Sequence, residues 1–202
     1  MKKIGSLFVL ILWFLPGLAL AQKIGVLPFE DASGVGGAFG EQVAKLIRSE
    51  FLKDQRFTPK FIQYKPKNEE ESSTVDVEKA IEVGKKNGVE YVLIGTILEA
   101  EATSSYSGLG GVRVAGQYIG SSLRTVKATI TIQGDLVSVK EEKLIRSFRT
   151  TGSKTDRSVG ADVSTEWGPS LNLDNFADNN TPNAKALREA VEKLVKEVSK
   201  KL

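Results

Sequence analysis

Two stretches of this sequence keep a two-residue period far beyond the length of an ordinary strand, which is about 5 to 6 residues. The first occupies positions 112–132. Its even members are Val112, Val114, Gly116, Tyr118, Gly120, Ser122, Arg124, Val126, Ala128, Ile130 and Ile132, all apolar or small except Ser122 and Arg124. The intervening positions include Arg113, Gln117, Ser121, Lys127, Thr129 and Thr131, with Ile119 and Leu123 interrupting the contrast. In the second stretch Val159, Ala161, Val163, Thr165, Trp167, Pro169, Leu171 and Leu173 alternate with Gly160, Asp162, Ser164, Glu166, Gly168, Ser170, Asn172 and Asp174. Alternation of this kind places the two sets on opposite faces of a strand. A bilayer-crossing strand needs about 9 to 11 such residues with aromatics near the interfaces, for which Tyr118 and Trp167 are candidates. A long amphipathic hairpin on a half-buried soluble sheet needs the same pattern. Both readings stand open on the pattern alone. Arg124 and Pro169 count against lipid contact unless they lie near an interface, where a charge costs little.

The rest of the chain alternates strand and helix signals. The run KIGVLPF at positions 23–29 reads as a buried first strand, followed by a glycine-rich turn at 34–37. Phe39, Val43, Leu46, Ile47 and Phe51 then recur at helical spacing, the stripe of a helix packed on a sheet. Positions 56–64 read as a second strand, which Pro59 consigns to an edge. Ser73 or Thr74 is the expected cap of a second helix carrying Val77, Ala80, Ile81 and Gly84, stopped at Asn87-Gly88. VEYVLIGTILEA at 89–100 is the strongest strand signal and belongs mid-sheet. Positions 136–139 and 144–150 form a hairpin across a charged turn at 140–143. The last helix opens with Thr181 as cap and Pro182 at its first position, and its stripe is Leu187, Val191, Leu194, Val195, Val198 and Leu202. The expected fold class is α/β (α+β): a mixed sheet flanked by helices, with two long β-hairpins that could form part of an oligomeric transmembrane β-barrel.

The first residues, MKKIGSLFVLILWFLPGLALAQ, have a cationic start, an apolar run and Ala19-Leu20-Ala21 before Gln22. That order predicts a secretory signal peptide over 1–21, cleaved after Ala21, with a single domain over 22–202. An uncleaved anchor would need about 20 continuous apolar residues, and Pro16-Gly17 breaks the run early. Losing Lys2 and Lys3 lowers the formal charge from +3 to +1. A surface so near neutrality gives no electrostatic case for nucleic acid. Cysteine and histidine are both absent. The composition therefore excludes a disulfide framework, a lipid-anchor thiol, a Ser-His-Asp triad and the usual zinc ligand sets.

Three local patterns were weighed as sites. GVGGAFG at 34–40 lies between strand and helix, where backbone amides favour anions. It has Phe39 at the third glycine position of the dinucleotide pattern and lacks the Walker Lys-Ser or Lys-Thr pair. Glu99 and Glu101 share a strand face, and Glu30 and Asp31 end the first strand, without a pocket to make them acid and base. No enzyme and no cofactor is expected.

KIGVLPFEDASG, VEYVLIGTILEAEATSS, SGLGGVRVAGQYIG and ALREAVEKLV stand in this order along the chain. That order resembles the curli-secretion channel family, CsgG-like proteins including holdfast-anchor relatives. The resemblance implies a ring in the outer membrane whose subunits each lend two β-hairpins to a shared barrel that exports unfolded fibre subunits. Carried over by position, residues 104–125 are the first membrane hairpin and 153–174 the second. The candidate membrane-hairpin residues are then Val112, Val114, Tyr118, Val159, Ala161, Val163, Trp167, Leu171 and Leu173. Phe39 is the candidate for the family's aromatic pore loop, here shortened to positions 34–39. The implied partners are further copies of the chain and secreted fibre subunits or other envelope proteins, with the outer membrane a possible contact and no nucleic acid. The expected location is the outer membrane or periplasm, without a lipid anchor. A soluble periplasmic interaction module, like activators of peptidoglycan synthases or flagellar envelope proteins, is the alternative.

Overall fold

A computed structural model describes residues 21–64, 75–114, 117–161, 176 and 180–202. Of the expected leader, residues 1–21, positions 1–20 lie outside them, and the first strand begins at Gln22. Strand β1 (Gln22–Val26) pairs in parallel with β3 (Phe57–Phe61) on one side and with β4 (Tyr91–Val114) on the other. The two-residue β2 (Glu30–Asp31) lies against β4 at Thr96 and Ile97, beyond the end of β1. Strands β5 (Gln117–Ser138) and β6 (Lys143–Ala161) complete a mixed sheet in the order β3-β1-β4-β5-β6, antiparallel from β4 onward. Pro59 sits in β3, whose pairing among the described residues is with β1 alone, the edge position expected of a residue without an N–H.

Helix α1 (Phe39–Phe51) buries Phe39, Val43, Ala44, Ile47 and Phe51, and α3 (Pro182–Lys201) buries Leu187, Ala190, Val191, Leu194, Val195 and Val198. Both lie on the sheet face that presents Leu93, Ile97, Ala128, Ile130, Ile132 and Leu136, and together they enclose the main core. Helix α2 (Val77–Asn87) covers the opposite face, over Val92, Ile94, Val137 and Val139. The two sheet faces are named below for α3 and α2.

Local chemistry sets the helix ends. The Thr181 hydroxyl accepts from the Ala184 N–H at 3.1 Å, with Pro182 at the start of α3. Gly88 stops α2 in a left-handed conformation (φ 65°) that costs glycine nothing. The α2 cap is Asp76, whose carboxylate accepts from the Lys79 N–H at 2.8 Å; the expected caps Ser73 and Thr74 lie outside the described residues.

The sequence expectation of one strand period running through 112–132 does not hold. The chain turns between β4 and β5, so the alternation belongs to two strands. What appeared as separate short strands are three continuous ones of 24, 22 and 19 residues. Register shifts between Ile97 and Glu99 and between Gly108 and Gly111 each insert a residue into β4. Each such bulge exchanges the odd and even positions between the two faces.

Helix α3 approaches β6 closely at Gly152, where a Cβ would lie 2.0 Å from the Ala186 carbonyl oxygen and 2.6 Å from the Ala190 nitrogen. One residue pair on, the buried Thr150 hydroxyl donates to the Ala190 carbonyl at 2.9 Å. A Gly152→Ala substitution would push backbone against backbone. It is expected to lower stability by about 1–3 kcal/mol, measured by urea denaturation; an unchanged midpoint would show that α3 can shift outward freely.

Candidate functional site

The helical cover of the α3 face ends partway along the strands. Near that end stand the Lys154–Glu189 ion pair at 2.8 Å and, one row further, Lys185–Asp156 at 3.9 Å. Burial on that face follows: Ala128 is fully enclosed, Val126 is half-buried, and Arg124 is exposed. On the α2 face no described helix covers the sheet beyond Thr96. Strands β4 and β5 nevertheless stay paired from Ser104↔Val126 to Val114↔Gln117. This hairpin coincides with the first expected membrane hairpin, residues 104–125. Of the second, 153–174, the described part is the end of β6, paired with β5 up to Ser121↔Ala161.

Directly paired positions share a sheet face, which allows the candidate residues to be sorted. Val112 pairs with Ile119 and Val114 with Gln117, while Leu123 pairs with Val159 and Ser121 with Ala161. All of these fall on the α2 face. Tyr118 pairs with Arg113 and falls on the α3 face, in register with Gly111↔Gly120, Ser122↔Gly160 and Arg124↔Ser158. Val112, Val114, Val159 and Ala161 therefore hold register positions on one side of the sheet, and Tyr118 on the other. Val163, Trp167, Leu171 and Leu173 lie outside the described residues. Ile119 and Leu123, which looked like interruptions of the alternation, occupy the same face as Val112. Counting parity through a hairpin turn is what hid them.

The apolar face thus changes sides along the same strands. In the body of the sheet the apolar positions of β5 are Ala128, Ile130 and Ile132 under α3. Toward the tip they are Leu123 and Ile119 on the α2 face. Between these zones the α2 face is polar. Glu99 accepts from the Thr131 hydroxyl at 2.9 Å, and Thr131 and Thr151 share a hydrogen bond at 3.1 Å across to β6. Glu101 pairs with Thr129 in the next row. These carboxylates border no described cavity, and no acidic triad suited to a metal occurs among the described residues.

Phe39 is corrected by the structure. It is fully buried as the first residue of α1, its ring centroid 4.6 Å from that of Phe176. Its membership of the α1 stripe, visible in the spacing, decides its position, and the 34–39 loop presents it to the core and to no lumen. The loop itself is folded back by Asp31, whose carboxylate accepts from the Ser33 N–H at 2.9 Å and the Gly36 N–H at 2.6 Å.

Electrostatics reinforce the end of the helical cover. Hydrogen bonds from Lys154 first and then Lys193 hold the Glu189 carboxyl at about 2, below its ordinary 4.5, against the opposing effect of burial. Lys193 also donates to the Thr151 carbonyl at 2.8 Å, so this cluster fastens α3 to β6.

The arrangement is that of an envelope component: an α/β body carrying long, strongly paired strands beyond its core. The family model for the curli production assembly/transport component CsgG matches residues 67–202. The chain belongs to that family. No curated protein matches the sequence. Among solved structures, a PelC dodecamer from Paraburkholderia phytofirmans is 14% identical with a TM-score of 0.47, covering 89% of each chain. The hypothetical protein CT253 from Chlamydia trachomatis is 12% identical with a TM-score of 0.49, over 88% of this chain and 95% of that one. The LpoB C-terminal domain from Salmonella enterica is 14% identical with a TM-score of 0.41, over 71% and 90%.

Two outcomes test this description. Phe39→Ala should cost about 3–5 kcal/mol as a core cavity in chemical denaturation, whereas a solvent-facing loop residue would change stability by less than about 0.5 kcal/mol. Because the Glu189 pKa is depressed on folding, its contribution is complete above 4.5 and is lost as pH falls toward about 2. Glu189→Gln should therefore be less stable than the wild type at pH 7, by about 0.5–1 kcal/mol given its half-exposed lysine partners. Thermal melts from pH 7 down to 2 should show that gap closing below 4.5; a gap independent of pH would assign the effect to packing.

Proposed function

We propose that this protein is a non-enzymatic subunit of a homo-oligomeric outer-membrane secretion channel or assembly platform for curli-like fibre or adhesin subunits. The observation that carries the reading is the β4–β5 hairpin, which continues past the last α3 contact as paired strand. Beyond the row of Val126 and Asp156, from Gln117 to Thr125, β5 runs nine residues, within the about 9 to 11 that a tilted strand needs to cross a bilayer. Its α2 face there gathers Val112, Val114, Ile119, Leu123, Val159 and Ala161, the apolar side that lipid requires. The other face holds Arg113, Gly120, Ser122 and Arg124 together with Tyr118, a mostly polar or small set suited to a watery interior. One subunit supplies too few strands to close a barrel, because each open edge leaves backbone groups that lipid cannot satisfy. Several copies are needed. Membership of the CsgG family supports the same assignment of export and assembly.

The test is fractionation and imaging of the protein extracted from envelopes. Ring-shaped particles with a central hole in detergent are expected, and removal of residues 108–122 should shift the protein from the membrane to the soluble fraction. A monomer that stays dissolved without detergent would overturn the channel and leave the soluble interaction module.

A further inference from the structure

Between the polar middle of the α2 face and its apolar tip lie two cations. Lys127 pairs with Thr103 and Thr155, and Arg157 pairs with Thr125, one row closer to the tip. Both are exposed, and neither has an ion-pair or hydrogen-bond partner among the described residues. They are diagonal neighbours on adjacent strands, about 7–8 Å apart at the backbone, so both long side chains can reach one anion. Two residues beyond Arg157 stands Val159 beside Leu123, about 7 Å by strand rise. Toward the body, the next row holds Glu101 with Thr129, and Glu99 with Thr131 lies beyond it. Moving toward the tip, one face therefore reads acidic, then cationic, then apolar.

That is the order of environments met on entering a membrane: water, headgroup phosphate, hydrocarbon. The spacing agrees, since Lys127 lies one bilayer-crossing strand length from the hairpin turn. At that depth a cation costs little in the bilayer, and its stem can lie along apolar surface with its head at the phosphates. On the opposite face Lys154 is engaged by Glu189, Asp156 faces Lys185, and the exposed Arg124 is itself partnered. We propose that Lys127 and Arg157 form a seat for phospholipid headgroup phosphates, fixing the depth at which the hairpins enter the bilayer. This rests on the membrane-hairpin reading above and adds a lipid ligand to it.

The experiment is flotation of the purified protein with vesicles of phosphatidylethanolamine and phosphatidylglycerol at 3:1, and with phosphatidylcholine vesicles. A cation near an anionic surface contributes about fivefold in binding, so Lys127→Gln/Arg157→Gln should weaken association with the anionic vesicles about 25-fold and flatten its salt dependence. Lys127→Arg/Arg157→Lys should restore it. Arg149→Gln is the control: Arg149 is on the same face, eight residues and about 27 Å of strand from Arg157, and its loss should change binding less than twofold. Wild-type flotation with a double variant that floats equally well would overturn the phosphate seat and leave the membrane hairpins standing. An Arg149→Gln loss as large as the double variant's would also overturn it, by assigning the effect to general charge. Failure of the wild type to float with either vesicle would overturn both.

Discussion

The close seating of α3 on β5 and β6 is the contact around which the body is organised. It depends on glycine: at Gly152 the helix backbone lies where a Cβ would be, and at Gly134 a Cβ would come within 2.9 Å of Leu194. That proximity lets Leu187, Val191 and Leu194 reach Ile130 and Ile132 and leaves the Thr150 hydroxyl a helix carbonyl to bond. Hydrophobic burial supplies the energy, and the Glu189 cluster fastens the rim. Where the helix stops, the sheet loses its apolar partner. Beyond it β4 and β5 stay paired as far as Val114↔Gln117.

The change of apolar side between Ala128 and Leu123 is the structural expression of that handover. Under α3, even positions of β5 are buried; past it, the apolar residues are odd. Toward the tip Val112, Val114, Ile119 and Leu123 hold register positions on one face of the sheet. Family membership and this geometry thus bear on the same segment from independent directions.

Much of the body was legible in the sequence because its signals are local. The α1 and α3 stripes, the Thr181-Pro182 start and the Gly88 stop each depend on residues within a turn or two of one another. Pro59 marked its edge strand through a missing N–H. The α2 cap was misplaced because Ser73, Thr74 and Asp76 are all competent acceptors, and the position of the first buried turn chooses among them. The hairpin faces were harder. The reversal between Val114 and Gln117 breaks the alternation in space without breaking it in sequence, and the β4 bulges leave no residue type that only a bulge would use. Phe39 fitted both a helix stripe and a shortened loop; burial against Phe176 decided between them.

The two bulges give β4 a reading frame. The parity of β4 switches at each bulge, so positions between Glu99 and Gly108 are out of phase with those before Ile97 and those after Gly111, while β5 keeps one parity throughout the corresponding pairs. Losing a single residue near Gly110 would invert the outer part of β4 while its base kept its place under α3. Such strands can therefore lengthen or shorten cheaply only in steps of two, unless a bulge is gained or lost to restore phase. Drift in the reach of the hairpin is quantised, even where individual side chains on it are free to vary.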